Sequence, residues 1–176
     1  MKSTQNSSQF RFKKALLNIS MVNIMGVMVS LPVYAESLTL DALQKAVAQG
    51  QTSLAMRYRY EGVDQDGIEK DANASTLKTR LGWKSASLNG FFANIEVDNV
   101  STIGNDNYNN TVNGKSLYPV VADPTGTDLN QAYIGYKQGN VLFSFGRQRI
   151  VHNDQRFVGG VAWRQNEQTF DGYRVQ

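Results

Sequence analysis

The chain has 176 residues, no cysteine, one histidine and a formal net charge of +3. Without cysteine it has no disulfide framework, no thiol nucleophile and no thiolate metal site. Residues 1–35 hold four of the basic residues and no acid, so the remainder has 14 basic and 15 acidic residues and a net charge of −1. The apparent basicity belongs to the leader, and nucleic-acid binding loses its main support.

Residues 1–35 have the order of a secretory signal peptide. Arg11, Lys13 and Lys14 precede an apolar stretch, and Val33-Tyr34-Ala35 is a cleavage motif of the small-x-small type. We therefore predict export and cleavage after Ala35. The alternative is a transmembrane anchor, but polar residues interrupt the apolar run, which is short for a span of ~20 residues.

The segment 36–50 follows the predicted cleavage point. Its residues 39–49 place apolar side chains at helical spacing, and Gly50 is a stop signal. The pattern predicts one short periplasmic helix before the main domain, with an unstructured segment as the alternative.

From residue 51 onward, apolar and polar residues alternate with a period of two, which is typical of β-strands. The predicted strands are 51–61, 75–84, 88–98, 131–137, 141–151 and from 169 onward. The connections alternate between short ones, at 85–87 and 138–140, and long ones, at 62–74, 99–130 and 152–168.

This alternation of connections is typical of outer-membrane β-barrels, which have short periplasmic turns and longer extracellular loops. No long apolar run follows residue 35, and only helices and closed barrels satisfy every backbone group in lipid. We therefore predict an all-β fold, an antiparallel transmembrane β-barrel formed by residues 51–176. A soluble secreted β-sandwich would show the same alternation, but the signal peptide and the connection lengths favour the barrel.

In a barrel the apolar strand face contacts lipid and the polar face lines the lumen. The predicted pore-lining residues are the charged residues of the polar faces and of the fifth strand, namely Arg57, Arg59, Lys78, Arg80, Glu96, Asp98, Arg147 and Arg149. Charges on a lumenal wall favour particular solute charges. Alternatively, they pair across strands and support the wall. Trp83 and Tyr136 are predicted at the periplasmic aromatic girdle.

The fifth predicted strand leaves the direction of its arginines open. Phe143 and Phe145 share parity with Arg147 and Arg149. A bulge at Gly146, arginines above the hydrocarbon zone, or inward-facing aromatics would each explain the pattern.

Little in the sequence indicates an enzyme, a metal site or a cofactor. His152 lies at the start of a predicted extracellular loop, and no GxSxG nucleophile motif is present. A surface hydrolase of the outer-membrane phospholipase kind would depend on this histidine, and we predict no such activity.

Several motifs extend over the mature chain. They are RYRYE at 57–61, TLKTRLG at 76–82, ADPTGTDLNQAY at 122–133, GRQRI at 146–150, DQRFVG at 154–159 and WRQNEQTFD at 163–171. Together they resemble the alginate-export-like outer-membrane porins of Gram-negative bacteria.

The resemblance implies a barrel of roughly eighteen strands. The six strands would be its N-terminal portion, so we expect this chain to be part of a longer or truncated protein. The resemblance also implies that the arginines of strands one, two and five line the pore and that loop 99–130 could fold inward as a constriction.

The expected function is passive diffusion of small, anionic solutes across the outer membrane. The expected partners are outer-membrane lipid, small hydrophilic solutes and the barrel-assembly machinery, with no nucleic acid. The alternative is a non-conducting barrel with a binding or structural role.

Overall fold

The computed structural model describes residues 39–176, and the predicted signal peptide lies outside them. The predicted helix is confirmed as α1, Leu40–Ala48. Its N-cap is Thr39, whose hydroxyl accepts a hydrogen bond from the N–H of Ala42 at 3.2 Å. Ala46 accepts a backbone hydrogen bond from Ala86, which ties α1 to the connection between the second and third strands.

The rest of the described chain is dominated by one antiparallel sheet, which confirms the all-β prediction. Its strands are β1 (Gln51–Val63), β2 (Ala72–Lys84), β3 (Phe91–Asn107), β4 (Gly126–Gln138), β5 (Val141–Gln148) and β6 (Phe170–Val175), and a 3-10 turn lies at Asn153–Gln155. The strands neighbour one another in sequence order from β1 to β6. The sheet is open, with β1 and β6 at its edges, as in a segment of a barrel wall.

Several strand bounds differ from the sequence prediction, most of all in β3. This strand continues to Asn107, although its polar residues suggest a loop after Asp98. Backbone ladder hydrogen bonds do not require apolar side chains, and residues 106–107 pair with 73–74 of β2 beyond a bulge opposite Ser75. For the same reason β2 begins at residue 72 and β4 at residue 126, both earlier than predicted. The second long connection is therefore shorter than predicted and covers residues 108–125.

The connection between β2 and β3 contains a two-residue turn, where the sequence pattern predicts the start of a strand. Leu88 and Phe91 exchange two backbone hydrogen bonds, and Asn89 and Gly90 both have positive φ, 51° and 87°. Asn-Gly is the sequence most suited to this turn. A Cβ on Gly90 would lie 2.7 Å from the carbonyl oxygen of Lys137, so the turn also permits close approach to β4.

We expect Gly90→Ala to lower the free energy of unfolding by about 2–3 kcal/mol, because ~1–2 kcal/mol of left-handed strain adds to the contact with Lys137. Gly67→Ala is the matched control, since Gly67 has φ 82° but no heavy atom within 4 Å of a Cβ. Urea titration of the protein folded into lipid vesicles measures both. Equal losses in the two variants would contradict the steric contribution.

Candidate functional site

The register of the sheet gathers the charged residues on one face. Directly paired residues of antiparallel strands lie on the same side of a sheet. Arg57 pairs with Lys78, and Arg80 pairs with Asp98. These four residues belong to the middle of their strands, and Glu96 lies next to them on β3. We call this side the polar face.

The opposite face is apolar and exposed. Its large side chains include Leu54, Met56, Leu81, Ile134, Phe145 and Tyr173, each more than half exposed. An exposed apolar surface of this size marks a contact with an apolar partner.

The connection at 149–169 crosses the polar face and reaches β1 and β2. Its Gln165 is completely buried and accepts a hydrogen bond from Arg57 Nε at 2.9 Å. The Gln165 amide nitrogen donates to the Thr76 hydroxyl at 2.9 Å and to the Arg57 carbonyl at 3.2 Å. Gln165 therefore bridges the first two strands, whose contact residues lie 89 and 108 positions away in the chain.

Arg57 of β1 also binds the backbone of the same connection. Besides Gln165, its guanidinium donates to the backbone carbonyls of Ala162 and Arg164. These three acceptors are neutral groups, so the contact positions the segment without neutralising the charge of Arg57.

Glu167 centres an ion-pair network on the polar face. Its side chain is 3% exposed and contacts the guanidinium groups of Arg80 and Arg149 and the amide of Asn130. Arg149 also contacts Glu96 at 2.9 Å.

The same network continues across β2 and β3. Arg80 binds both carboxylate oxygens of Asp98 at 2.7 Å, and Lys78 approaches Asp98 at 2.8 Å. This bidentate geometry is the strong form of an arginine–carboxylate pair. Three cations and three carboxylates thus balance, which fixes the 149–169 connection on β2, β3 and β4.

The Glu167 carboxylate keeps its charge in this environment. Burial opposes ionisation, but hydrogen bonds from Arg149 and Asn130 and the charge of Arg80 outweigh it and lower the pKa of Glu167 from 4.5 to about 2. Its contribution to the contact is therefore present above the ordinary carboxyl range and is lost only as the pH falls through about 2.

A second ion-pair group lies nearer the long-connection end of the sheet. Glu61 contacts Arg59 and Arg164, and both arginines stack against the ring of Trp163 at 5.6 and 4.3 Å. Asp123 is also buried here, where its Oδ1 accepts the Gln165 backbone N–H at 2.8 Å.

The other oxygen of Asp123 has no hydrogen-bond partner within the described residues. It lies 3.7 Å from Arg164 Nη1 and 3.9 Å from Arg59 Nε. The two nearby positive charges offset part of the cost of burying this atom.

The connection at 108–125 packs on the outer end of the same face. Tyr108 and Val121 form a small buried cluster with Ala72 and Ala74 of β2. From the sequence, the long loop after β3 is the expected inward-folding segment. The connections 108–125 and 149–169 both lie on the polar face, but residues 161–167 contact the strand centres.

The structure separates the two arginines whose direction the sequence leaves open. Arg147 is paired with Ala132 and Asp171, so it lies on the apolar face with Phe145, and it forms an exposed ion pair with Asp171 at 2.8 Å. Arg149 lies beyond the end of β5, and its side chain reaches the polar face. Pairing of β5 with β4 is regular through Gly146.

His152 is exposed in the 149–169 connection. Within residues 39–176, no group of three or more His, Cys, Asp or Glu side chains could hold a metal ion. No helix in that part of the chain is long and apolar enough to cross a membrane.

Strand parity selects only the strand charges and misses their partners, most of which lie on the connections. These partners are Asn130 at a bulge of β4, and Asp123, Arg164, Gln165 and Glu167. The motifs that contain them, ADPTGTDLNQAY and WRQNEQTFD, indicate a family resemblance but no contact. A buried glutamine in a polar loop has no local signature in a sequence.

An open antiparallel sheet with a charged face under its own long connections and an exposed apolar face on the other side is compatible with part of a β-barrel wall. The sequence model of the family described as Alginate export matches residues 44–176. The chain belongs to this family, which is a family of outer-membrane export channels. No curated protein and no solved structure matches the chain.

Proposed function

We propose that the chain forms part of the wall and the constriction of a channel for passive diffusion of small, anionic solutes across the Gram-negative outer membrane. The observation that carries the proposal is the position of residues 161–167. Gln165 and Glu167 hold this segment on mid-strand residues of the polar face, where it would narrow a lumen. An inward-folded charged segment sets the size and charge of solutes that pass.

The charge on the polar face supports an anionic solute. Within the two ion-pair groups described above and Arg57, six basic side chains meet five carboxylates, which leaves one positive charge. They are Arg57, Arg59, Lys78, Arg80, Arg149 and Arg164, against Glu61, Glu96, Asp98, Asp123 and Glu167. Arg57 has no carboxylate partner in this set and accounts for the excess. Arg147 lies outside the proposed pore lining because of its face.

The apolar face would contact outer-membrane lipid, and insertion would use the barrel-assembly machinery after cleavage of the signal peptide behind Ala35. These steps follow from the proposed export route. The proposed solutes are small and hydrophilic, and the proposal requires no catalytic group, metal or cofactor.

A non-conducting barrel is the second candidate, because the same segment could close the lumen as a plug. The buried position of Gln165 and the balanced ion pairs around Glu167 favour a firmly held segment. Solute-swelling of vesicles that contain the full-length protein separates the two functions. Swelling supports the channel. No swelling, together with no conductance above background, supports the non-conducting barrel.

We expect the full-length protein in a planar bilayer to prefer chloride over potassium, and replacement of Arg57 and Arg80 by serine to reduce that preference. Each positive charge about 5 Å from the ion path is worth about 0.8 kcal/mol in water, and it acts in opposite directions on chloride and potassium, so its loss lowers the permeability ratio roughly 16-fold. The reversal potential in a salt gradient measures the ratio.

Arg147→Ser is the matched control, because Arg147 is an arginine of the same sheet on the apolar face. It is expected to leave the reversal potential unchanged. An equal change in this control, or a cation preference that the double serine variant does not alter, would contradict anion selection by the polar face.

A further inference from the structure

The short-turn end of the polar face differs in charge from its centre. Lys84 of β2 pairs with Gln51 and Asn94 across the sheet, and Lys137 of β4 is two residues from Gly135, which pairs with Phe92. Both lysines therefore lie on the polar face, and both are exposed. At the centre Lys78, Arg80 and Arg149 are bound by carboxylates, but neither Lys84 nor Lys137 has an ion pair among residues 39–176.

A cavity of about 330 Å³ lies between these two lysines. Its lining includes the polar side chains of Gln51 and Ser87 and the ring of Phe92, and it contains no carboxylate. The space is large enough for a small organic anion and offers ammonium, amide and hydroxyl donors to it.

The aromatic ring holds one of these cations in place without neutralising it. Lys84 Nζ lies 4.4 Å from the centre of the Phe92 ring, a cation–π distance. Phe92 in turn lies directly over Gly135, where a Cβ would come within 2.3 Å of the ring. Because Gly135 has no side chain, the Phe92 ring can lie directly against the backbone of β4.

We propose that the Lys84–Lys137 cavity is a capture site for small oxyanions, carboxylate or phosphate, at the predicted periplasmic mouth of the channel. The inference rests on the proposed function, because it names the binding step that precedes passage through the constriction. Two unpaired ammonium groups raise the local concentration of anions at the mouth. Because a lysine ammonium group acts as a point charge, the site distinguishes ligands by their charge more than by their shape.

Equilibrium dialysis of the full-length protein in detergent at low ionic strength tests the site, with labelled succinate and inorganic phosphate as separate probes. We expect Lys84→Gln combined with Lys137→Gln to weaken binding roughly 10-fold, from the loss of two charges close to the anion. Lys84→Arg combined with Lys137→Arg keeps both charges and is expected to bind like the unchanged protein.

Lys45→Gln combined with Lys70→Gln is the matched control, since it removes two lysines that do not line the cavity. Lysine-dependent binding of either probe supports the site. Binding of neither probe, or equal weakening by the control pair, overturns it.

Binding is measured without ion flow, so the result does not depend on the proposed channel activity. A protein that binds succinate through the two lysines but does not conduct would retain the capture site and lose the proposed function. A protein that conducts with the expected selectivity but binds neither probe would lose only the capture site.

Discussion

Gln165→Leu is expected to increase single-channel conductance severalfold and to make the current noisy. Leucine has a similar size but cannot exchange hydrogen bonds with Arg57 and Thr76. Three lost hydrogen bonds of ~1 kcal/mol each shift the population of the displaced segment by roughly 100-fold. Because residues 161–167 would then leave the strand centres for part of the time, the lumen would widen.

The matched control is Gln168→Leu, in the same connection. Gln168 is exposed, and its side chain forms no hydrogen bond with the described residues, so the same chemical change should leave the conductance unaltered. Planar-bilayer recording of the full-length protein measures both variants. A conductance in Gln165→Leu that matches the control would mean that the segment does not narrow the path.

Stability provides an independent test of the same variant. The β1–β2 ladder does not depend on Gln165, since its pairing runs without interruption from residue 51 to residue 63. We therefore expect the sheet signal in circular dichroism to persist while protease sensitivity appears in the 149–169 connection. Loss of the sheet signal would instead indicate a folding defect.

The strands were predictable because each places one apolar face against a non-polar environment, and a period of two follows directly. In β1 the alternation of Leu54, Met56 and Tyr58 with polar residues sufficed. Strand ends were less predictable. In β3 the residues after Asp98 are polar on both faces, and the ladder with β2 extends the strand regardless.

The candidate site was predictable only in part, for a related reason. Arg57, Lys78 and Arg80 could be assigned to one face by parity alone. Gln165, which contacts Arg57, and Glu167, which contacts Arg80, lie 108 and 87 residues further along the chain, and no local pattern brings these pairs together. Arg149 shows the same limit, because parity predicts a face only while the strand continues, and β5 ends one residue earlier.

The ion pairs also change how the strand charges are interpreted. From the sequence, lumenal arginines and wall-supporting ion pairs were alternatives. Arg80 and Lys78 have carboxylate partners, whereas Arg57 has none among the residues that the structure describes. An electrostatic field that favours anions would then arise from the few cations without a carboxylate partner among the described residues. Removal of a carboxylate at the centre of the polar face should therefore change the ion selectivity more than removal of a carboxylate far from that centre.

Glu167→Gln is the change that tests this balance most directly. Glutamine keeps the shape and one acceptor oxygen, but it replaces the other oxygen by an amide donor and removes the negative charge shared by Arg80 and Arg149. One additional net positive charge about 5 Å from the ion path is worth ~0.8 kcal/mol in water for each ion, with opposite sign for chloride and potassium, so the chloride-to-potassium permeability ratio should rise roughly 16-fold. Glu69→Gln removes the same charge from an exposed site in the connection between β1 and β2 and should have little effect.

Lowering the pH should not give the unchanged protein the permeability ratio of the Glu167→Gln variant. Because the pKa of Glu167 is lowered to about 2, the carboxylate stays ionised from pH 8 down to about pH 3, and the contact weakens only as the pH falls through about 2. The difference in reversal potential between the unchanged protein and Glu167→Gln is therefore expected to persist at pH 4. A difference that vanishes near pH 4.5 would show that Glu167 titrates as an ordinary carboxyl group, and the 149–169 connection would then be held by its neutral hydrogen bonds, with Gln165 as the main contact.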